Sequence, residues 1–234
     1  MDAQEASKIL ATRGPEVGGN VLRQLLDAAI NGIGKVPGAK ATAAHALVKH
    51  GSAEPAIDAL VSTHVRMATA QGVITNLGGL WTAPLLLPAN IAGLAMVQSR
   101  LVASIAHLRG YDVDDSRVRT AMALCLLGEV GVTGMIERNE IPTTPLAIAT
   151  APIFDASLDQ LVAAKVFGDL SGRLGGRQAV VLLARRIPVL GGGVSGALDG
   201  WFTSSVGAYC REQFPTRRRL TAGPAKASES TPSD

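Results

Sequence analysis

A chain of 234 residues in which 47% are apolar, 3% aromatic and 18% charged can build one large domain or two small ones, and is too hydrophobic for intrinsic disorder. Its two cysteines, Cys125 and Cys210, each sit in an apolar run, which excludes a disulfide scaffold and makes them small core residues. A net charge of +3 with so few rings offers neither the field nor the stacking platform of a nucleic-acid binder, so no nucleic-acid partner is expected.

The opening MDAQEASKIL is acidic and polar without an apolar stretch, so no secretion signal is visible and a cytoplasmic location is expected. Leu22, Leu25, Leu26, Ala29, Ile30 and Ile33 recur at spacings of three and four, which is helical, and end in the Gly/Pro-rich loop GIGKVPGAK. Ser52 reads as an N-cap with Pro55 in the first turn, opening a helix to about Gly72 with Ile57, Leu60, Val61, His64 and Val65 on one side. Pro88 is expected to open a further helix, with Ile91, Leu94, Leu101, Ile105 and Leu108 in a stripe, that Gly110 closes. Asp114, Asp115 and Ser116 cap the next, which holds Val118, Met122 and Cys125 and ends near Gly128. Asp155 or Ser157 starts another through Leu158, Leu161, Val162 and Val166, and residues 176–186 and 194–214 form a last pair. No β-branched run alternates with polar residues. The chain therefore reads as all-α, a single domain over residues 1–216; PTRRRL comes directly after Phe214, and residues 217–234 form a basic and then small, polar tail expected to be disordered.

Charge is distributed unevenly along this pattern. From Met67 to Ser99 there are 33 consecutive residues without a charged side chain, bracketed by Arg66 and Arg100. Further charge-free stretches run from Ile141 to Phe154 and from Ile187 to Leu198. As one helix the first stretch would span roughly 50 Å against the ~30 Å hydrocarbon core of a bilayer. Gly78, Gly79, Pro84 and Pro88 break it instead into an ascending arm, a glycine turn and a descending helix. The stretch IPVLGGGVSGAL repeats the plan, with a glycine turn before an amphipathic helix bearing Val194, Leu198, Trp201, Phe202 and Tyr209. The expected fold is thus one of helical hairpins with glycine-turned apolar tips. Either hairpin fits the buried core of a soluble bundle or an interfacial, re-entrant insertion. Asn76, Asn90 and Gln98 argue against a spanning helix, and Trp81 beside the turn stands where an interfacial aromatic would. The expected contact residues are Leu77, Gly78, Gly79, Trp81, Leu85, Leu86 and Leu87 at one tip and Pro188, Leu190 and Gly192 at the other.

Arg217, Arg218 and Arg219 follow the last helix directly, with Arg211 one face earlier. They read either as a solvated helix end favouring the dipole or as a weak attraction to an anionic leaflet, about 1 kcal/mol per basic residue.

Motifs for chemistry fail on context. Gly191 to Gly196 satisfies G-x-G-x-x-G, but the approach RRIPVL is short and broken by Pro188, and no βαβ rhythm surrounds it. Gly32-Ile33-Gly34-Lys35 lacks the spacing and the Ser/Thr of a P-loop, and Gly193 to Ala197 lacks the closing glycine of a nucleophile elbow. His45, His50, His64 and His107 fall in separate helices without an H-E-x-x-H pair, so no metal site is expected. Asp112, Asp114 and Asp115 lack the glycine and the final Glu of an EF-hand and serve as loop and cap. Glu129, after the run TAMALCLLG, is expected to find an arginine partner. An enzyme built on Glu129, Asp112 or His107 is the least favoured reading; no catalysis and no cofactor are expected.

Residues 72–129 resemble the EcsC family, through the Gly78-Gly79 turn, the Leu87-Pro88-Ala89-Asn90 step, the Gln98-Ser99-Arg100 helix and the Gly110-Tyr111-Asp112 loop before a capped helix. Residues 185–214 are similar to that family's closing Pro-x-x-Gly hairpin, with Asp199 where the family often has Asn. The family is named for a gene beside a bacterial ABC transporter pair. The resemblance implies a bacterial, helical, membrane-associated protein and supplies no catalytic residues. Together these readings lead to a non-enzymatic peripheral membrane or lipid-interacting accessory protein at the inner face of the cell membrane. The alternative is a soluble helical scaffold that binds a protein partner, or itself, through the same apolar hairpins.

Overall fold

The helical spacing of the apolar residues becomes nine helices among the described residues. The structure, a computed structural model, describes the backbone of residues 3–77, 83–184 and 190–217, and the side chains of residues 17–73, 93–170 and 196–217. Helix α1 (Ala3–Asn31) ends in a small antiparallel ladder, β1 (Gly32–Ile33) on β2 (Val36–Pro37), so Ile33 leaves the helix and faces solvent. Helix α2 (Ala39–His50) follows, then α3 (Ala53–Leu77) and α4 (Ala83–Leu108). Gly110, at φ 86°, closes α4 in the left-handed conformation, while the Tyr111 N–H donates to the Ala106 carbonyl at 3.0 Å. Asp115 caps α5 (Ser116–Cys125), accepting from the Arg117 N–H at 2.8 Å. Helices α6 (Gly128–Glu137) and α7 (Pro145–Ala149) are short. Asp155 caps α8 (Ala156–Ala184) through the N–H groups of Ser157 and Leu158, and α9 (Leu190–Gln213) completes the fold.

Three boundaries differ from the sequence reading. Helix α4 opens at Ala83, with Pro84 in its first turn and Pro88 inside it, because a proline this near a start gives up a single ladder bond. Helix α8 runs unbroken through Gly168, Gly172, Gly175 and Gly176, where two segments were expected. Glycine costs about 1 kcal/mol in a helix but keeps its N–H, so the ladder survives. Helix α9 starts at Leu190, which puts Gly191, Gly192 and Gly193 in its first turn rather than in a turn before it. There the N–H groups have no intrahelical partner to lose.

Packing gives the bundle two ends. Helices α3 and α9 are antiparallel and share the most extensive interface of the molecule: Gly72 meets Gly196, Thr69 meets Gly200, and Val61 meets Gly207. Close approach explains the glycines, since a Cβ on Gly196 would lie 2.7 Å from the Thr69 carbonyl oxygen. Leu101 of α4 also lies against Gly207, so α3 and α4 form an antiparallel hairpin whose connection is residues 78–82. Helix α1 lies antiparallel on α8, joined by the Arg23–Asp159 ion pair at 2.8 Å. The end of α3 and the starts of α4 and α9 therefore stand at one end, the tip. At the other end, the base, α5 is buried under α1, α7 and α8, and Tyr111 meets Phe214 edge to face at 4.8 Å. One contiguous core links the whole, from Leu22 and Ile57 to Met122, Leu124 and Cys210. Among the described residues no single helix is long and apolar enough to cross a membrane. Helices α5 and α6 pass that test only as a pair, bent by 103°, and α5 lies within the core.

Candidate functional site

The tip is built by the charge-free sequence. Going from base to tip, α3 carries its last charge at Arg66, and α4 has none between Ala83 and Arg100. Helix α9 has none from Leu190 to Leu198. Two runs separated by most of a hundred residues thus converge on one end, because the Gly72–Gly196 contact fixes the register of α3 and α9. Leu77 is the last residue of α3, Leu85, Leu86 and Leu87 lie in the first turns of α4, and Leu190 and Gly192 lie in the first turn of α9. Gly78, Gly79, Trp81 and Pro188 lie outside the described residues, as do Arg218 and Arg219. The remaining charge-free stretch, residues 141–154, goes to α7 and its flanks near the base, where Pro145, Ile148 and Ala149 are core.

Arg217 is placed differently. Its N–H donates to the Arg109 carbonyl at 2.9 Å and its guanidinium lies 5.0 Å from the centre of the Tyr111 ring. Both partners follow the base end of α4, so Arg217 is separated from the tip by the length of that helix, roughly 39 Å for 26 residues.

Below the tip, α3, α4 and α9 enclose a seam of polar side chains that the sequence pattern did not single out. The Gln98 amide donates to the Thr203 hydroxyl at 3.2 Å, and that hydroxyl donates to the Asp199 carbonyl at 2.8 Å; all three residues are buried. The Asp199 carboxylate occupies the space that a Cβ on Gly72 would fill, and the Gln71 amide does the same at Gly93 of α4. Gly72 and Gly93 are thus small because polar groups from the neighbouring helix lie over them. The only signal in the sequence was negative: Gln98 interrupting a run too apolar to need it.

His64, 2% exposed on α3, donates through Nδ1 to the Leu60 carbonyl, 2.8 Å away, and its Nε2 has no partner. A carbonyl can only accept, so Nδ1 carries the proton and Nε2 is a bare lone pair. Burial holds the pKa of His64 below the ordinary imidazole value, opposed by the Leu60 bond and reinforced by the Arg100 charge. Ser99 Oγ and Arg100 Nε are likewise buried without partners.

The other sequence candidates do not converge. Glu129 is exposed in the first turn of α6, not paired as expected, because that turn projects from the core behind Gly128. Asp112 accepts from the Asp114 N–H at 3.0 Å, and Asp114 pairs with Lys40; half-buried His107 lies near both, its pKa lowered chiefly by burial. Asp115 is held below the usual carboxylate range by its bond to Arg117. Cys125 and Cys210 are buried free thiols. Among the described residues no group of three or more His, Cys, Asp or Glu could hold a metal ion. A cleft of about 130 Å³ between α1, α5 and α8 is floored by Leu22, Leu26 and Ala123 and edged by Arg23, Arg119 and Asp159. Its charges are spent on one another: Asp159 takes Arg23 and the Thr120 hydroxyl, and Asp27 takes Arg119. No family model matches the chain, and it matches no curated protein and no solved structure.

Proposed function

We propose that the protein is a non-enzymatic, membrane-associating accessory protein of the EcsC type, which rests the tip of its bundle in the interface of a lipid bilayer. One observation carries the reading: the two charge-free runs of sequence, far apart in the chain, are brought to the same end of the molecule. Packing alone gives no reason for such a concentration, since the base buries its core equally well beneath a charged surface. Insertion is shallow on physical grounds. Arg185 and Arg186 follow α8 directly in the sequence, and arginine at the centre of a bilayer costs several kcal/mol. An interfacial element enters about 5–10 Å, which the first turns of α4 satisfy without carrying a charge below the headgroups.

The chain holds two tryptophans, Trp81 between α3 and α4 in the sequence and Trp201 on α9, level with Val65 and Thr69 of α3 and 67% exposed. Single-tryptophan variants Trp201→Phe and Trp81→Phe therefore report on different heights. On mixing with phospholipid vesicles, the tryptophan left at 81 should shift its emission to the blue and be quenched by brominated lipid. The one left at 201 should stay open to aqueous iodide. No response at 81 would refute the reading. A concentration-dependent rise in mass without any vesicle response would favour the scaffold alternative.

A further inference from the structure

We infer that Cys125 and Cys210 form an oxidisable dithiol, a modification site at which a small hydroperoxide such as hydrogen peroxide closes a reversible disulfide between α5 and α9. The inference stands apart from the membrane reading, since both residues belong to the core near the base, Cys210 one turn before Phe214. They are the only cysteines of the chain and lie 85 positions apart, yet the fold brings their side chains into contact. The Cys125 S–H faces the Cys210 sulfur, and the Cys210 S–H donates to the Val102 carbonyl of α4 at 3.7 Å. Both residues are fully buried. Packing asks only for two small apolar side chains at this place, not for two sulfurs side by side. Two features let the sulfurs close from hydrogen-bond contact to the ~2 Å of an S–S bond. Cys125 is the last residue of α5, where the chain bends by 103° into α6, and Cys210 lies within one turn of the end of α9 at Gln213. Helix ends open more readily than helix centres. Burial, with the Cys210 contact adding to it, holds the Cys125 thiol well above its ordinary pKa, so the closed core keeps the pair reduced and reaction waits on local opening. The chemistry balances with one peroxide. One thiol gives up its proton, its sulfur attacks a peroxide oxygen, the O–O bond breaks, and a sulfenic acid and one water result. The second sulfur then displaces the sulfenic oxygen as another water, so the thiols lose two electrons and two protons and the peroxide becomes two waters. The product staples α9, the helix that covers Gly72 of α3, to the base.

The test treats the full chain, purified under reductant and then freed of it, with hydrogen peroxide, and counts its thiols by alkylation after unfolding. Untreated protein should show two thiols and treated protein none, with Cys125 and Cys210 joined in one cross-linked peptide pair by mass spectrometry. Dithiothreitol should restore both. The oxidised form should unfold at higher denaturant, its unfolding equilibrium constant lowered by about a thousandfold, as the closed loop from 125 to 210 implies. Peroxide should stabilise neither Cys125→Ala nor Cys210→Ala. Two thiols still countable in treated wild type would overturn the inference, whether or not the alanine variants fold. So would sulfinic and sulfonic acids in place of the cross-linked pair, or a disulfide joining two chains.

Discussion

The base and the tip of this bundle solve the same packing problem with different residues. At the base, large aliphatic and aromatic side chains such as Leu108, Tyr111, Met122, Leu124 and Phe214 are buried, and the surface above them is laced with ion pairs: Arg109–Glu54, Lys40–Asp114, Arg119–Asp27 and Arg211–Asp58. Toward the tip the helices approach through Gly72, Gly196 and Gly200, the contacts between them include Gln98, Thr203 and Asp199, and the sequence carries almost no charge outside α1 and α8. Exposed ion pairs add at most about 1 kcal/mol each, so the base's charges are there mainly because its surface meets water. The large buried side chains and the ion pairs belong to the base, and the charge-free runs of sequence to the tip.

That division can be broken most forcefully at Phe214. Its ring is fully buried against Tyr111, so Phe214→Ala should cost about 3–5 kcal/mol in chemical denaturation. Vesicle binding by the molecules that remain folded should not change. Leu86→Arg tests the other end: binding to vesicles should fall about tenfold or more, with helicity nearly intact. If Leu86 belonged to the core, the buried charge would unfold the domain instead.

A smaller effect sharpens the boundary between the two ends. His64 is buried in its neutral form with a folded-state pKa below the unfolded value. The unfolded chain then binds the extra proton first as pH drops. The contribution of His64 is fully present above about pH 6.5 and is lost as pH falls through the window between the unfolded and folded pKa. His64→Gln, which keeps a hydrogen-bonding group beside Leu60, should flatten that part of the stability–pH curve in denaturant titrations. A curve identical to wild type would show that His64 is solvated. Smallest of all, Arg217→Ala removes a cation over the Tyr111 face and should lower stability by about 0.5–1 kcal/mol, seen as a small drop in Tm.

Much of the helical plan was legible because its signals are local. The Asp115 cap, the Gly110 stop and the three-and-four spacing of Leu22 to Ile30 depend only on neighbours within a turn or two, and each stands as expected. Helix α8 was misjudged at its glycines, since a sequence window weighs their intrinsic cost but not the packing against α1 that holds the helix together. The charge-free runs were plain, yet their convergence was not, because it depends on the α3–α9 register that Gly72 and Gly196 set from opposite ends of the chain. The seam of Gln98, Thr203 and Asp199 was hidden for the same reason: its hydrogen bonds link residues 105 positions apart as well as one helical turn apart. Arg217 looked like a partner of the tip only while its helix had no direction.

The meeting of Gly72 with Gly196 also sets a clock. During synthesis at about 5–20 residues per second, the 124 residues after Gly72 that end with Gly196 take roughly 6–25 s to appear. Once α4 is complete at Leu108, and until α9 follows, the hairpin of α3 and α4 lacks the helix that covers its glycine face. Gln98 then waits without its partner Thr203, which α9 supplies last. A nascent chain in this state is a better substrate for a chaperone, or for the bilayer itself, than the finished bundle. The long reach of one glycine contact therefore makes the order of events at the ribosome part of how this protein arrives at its surface.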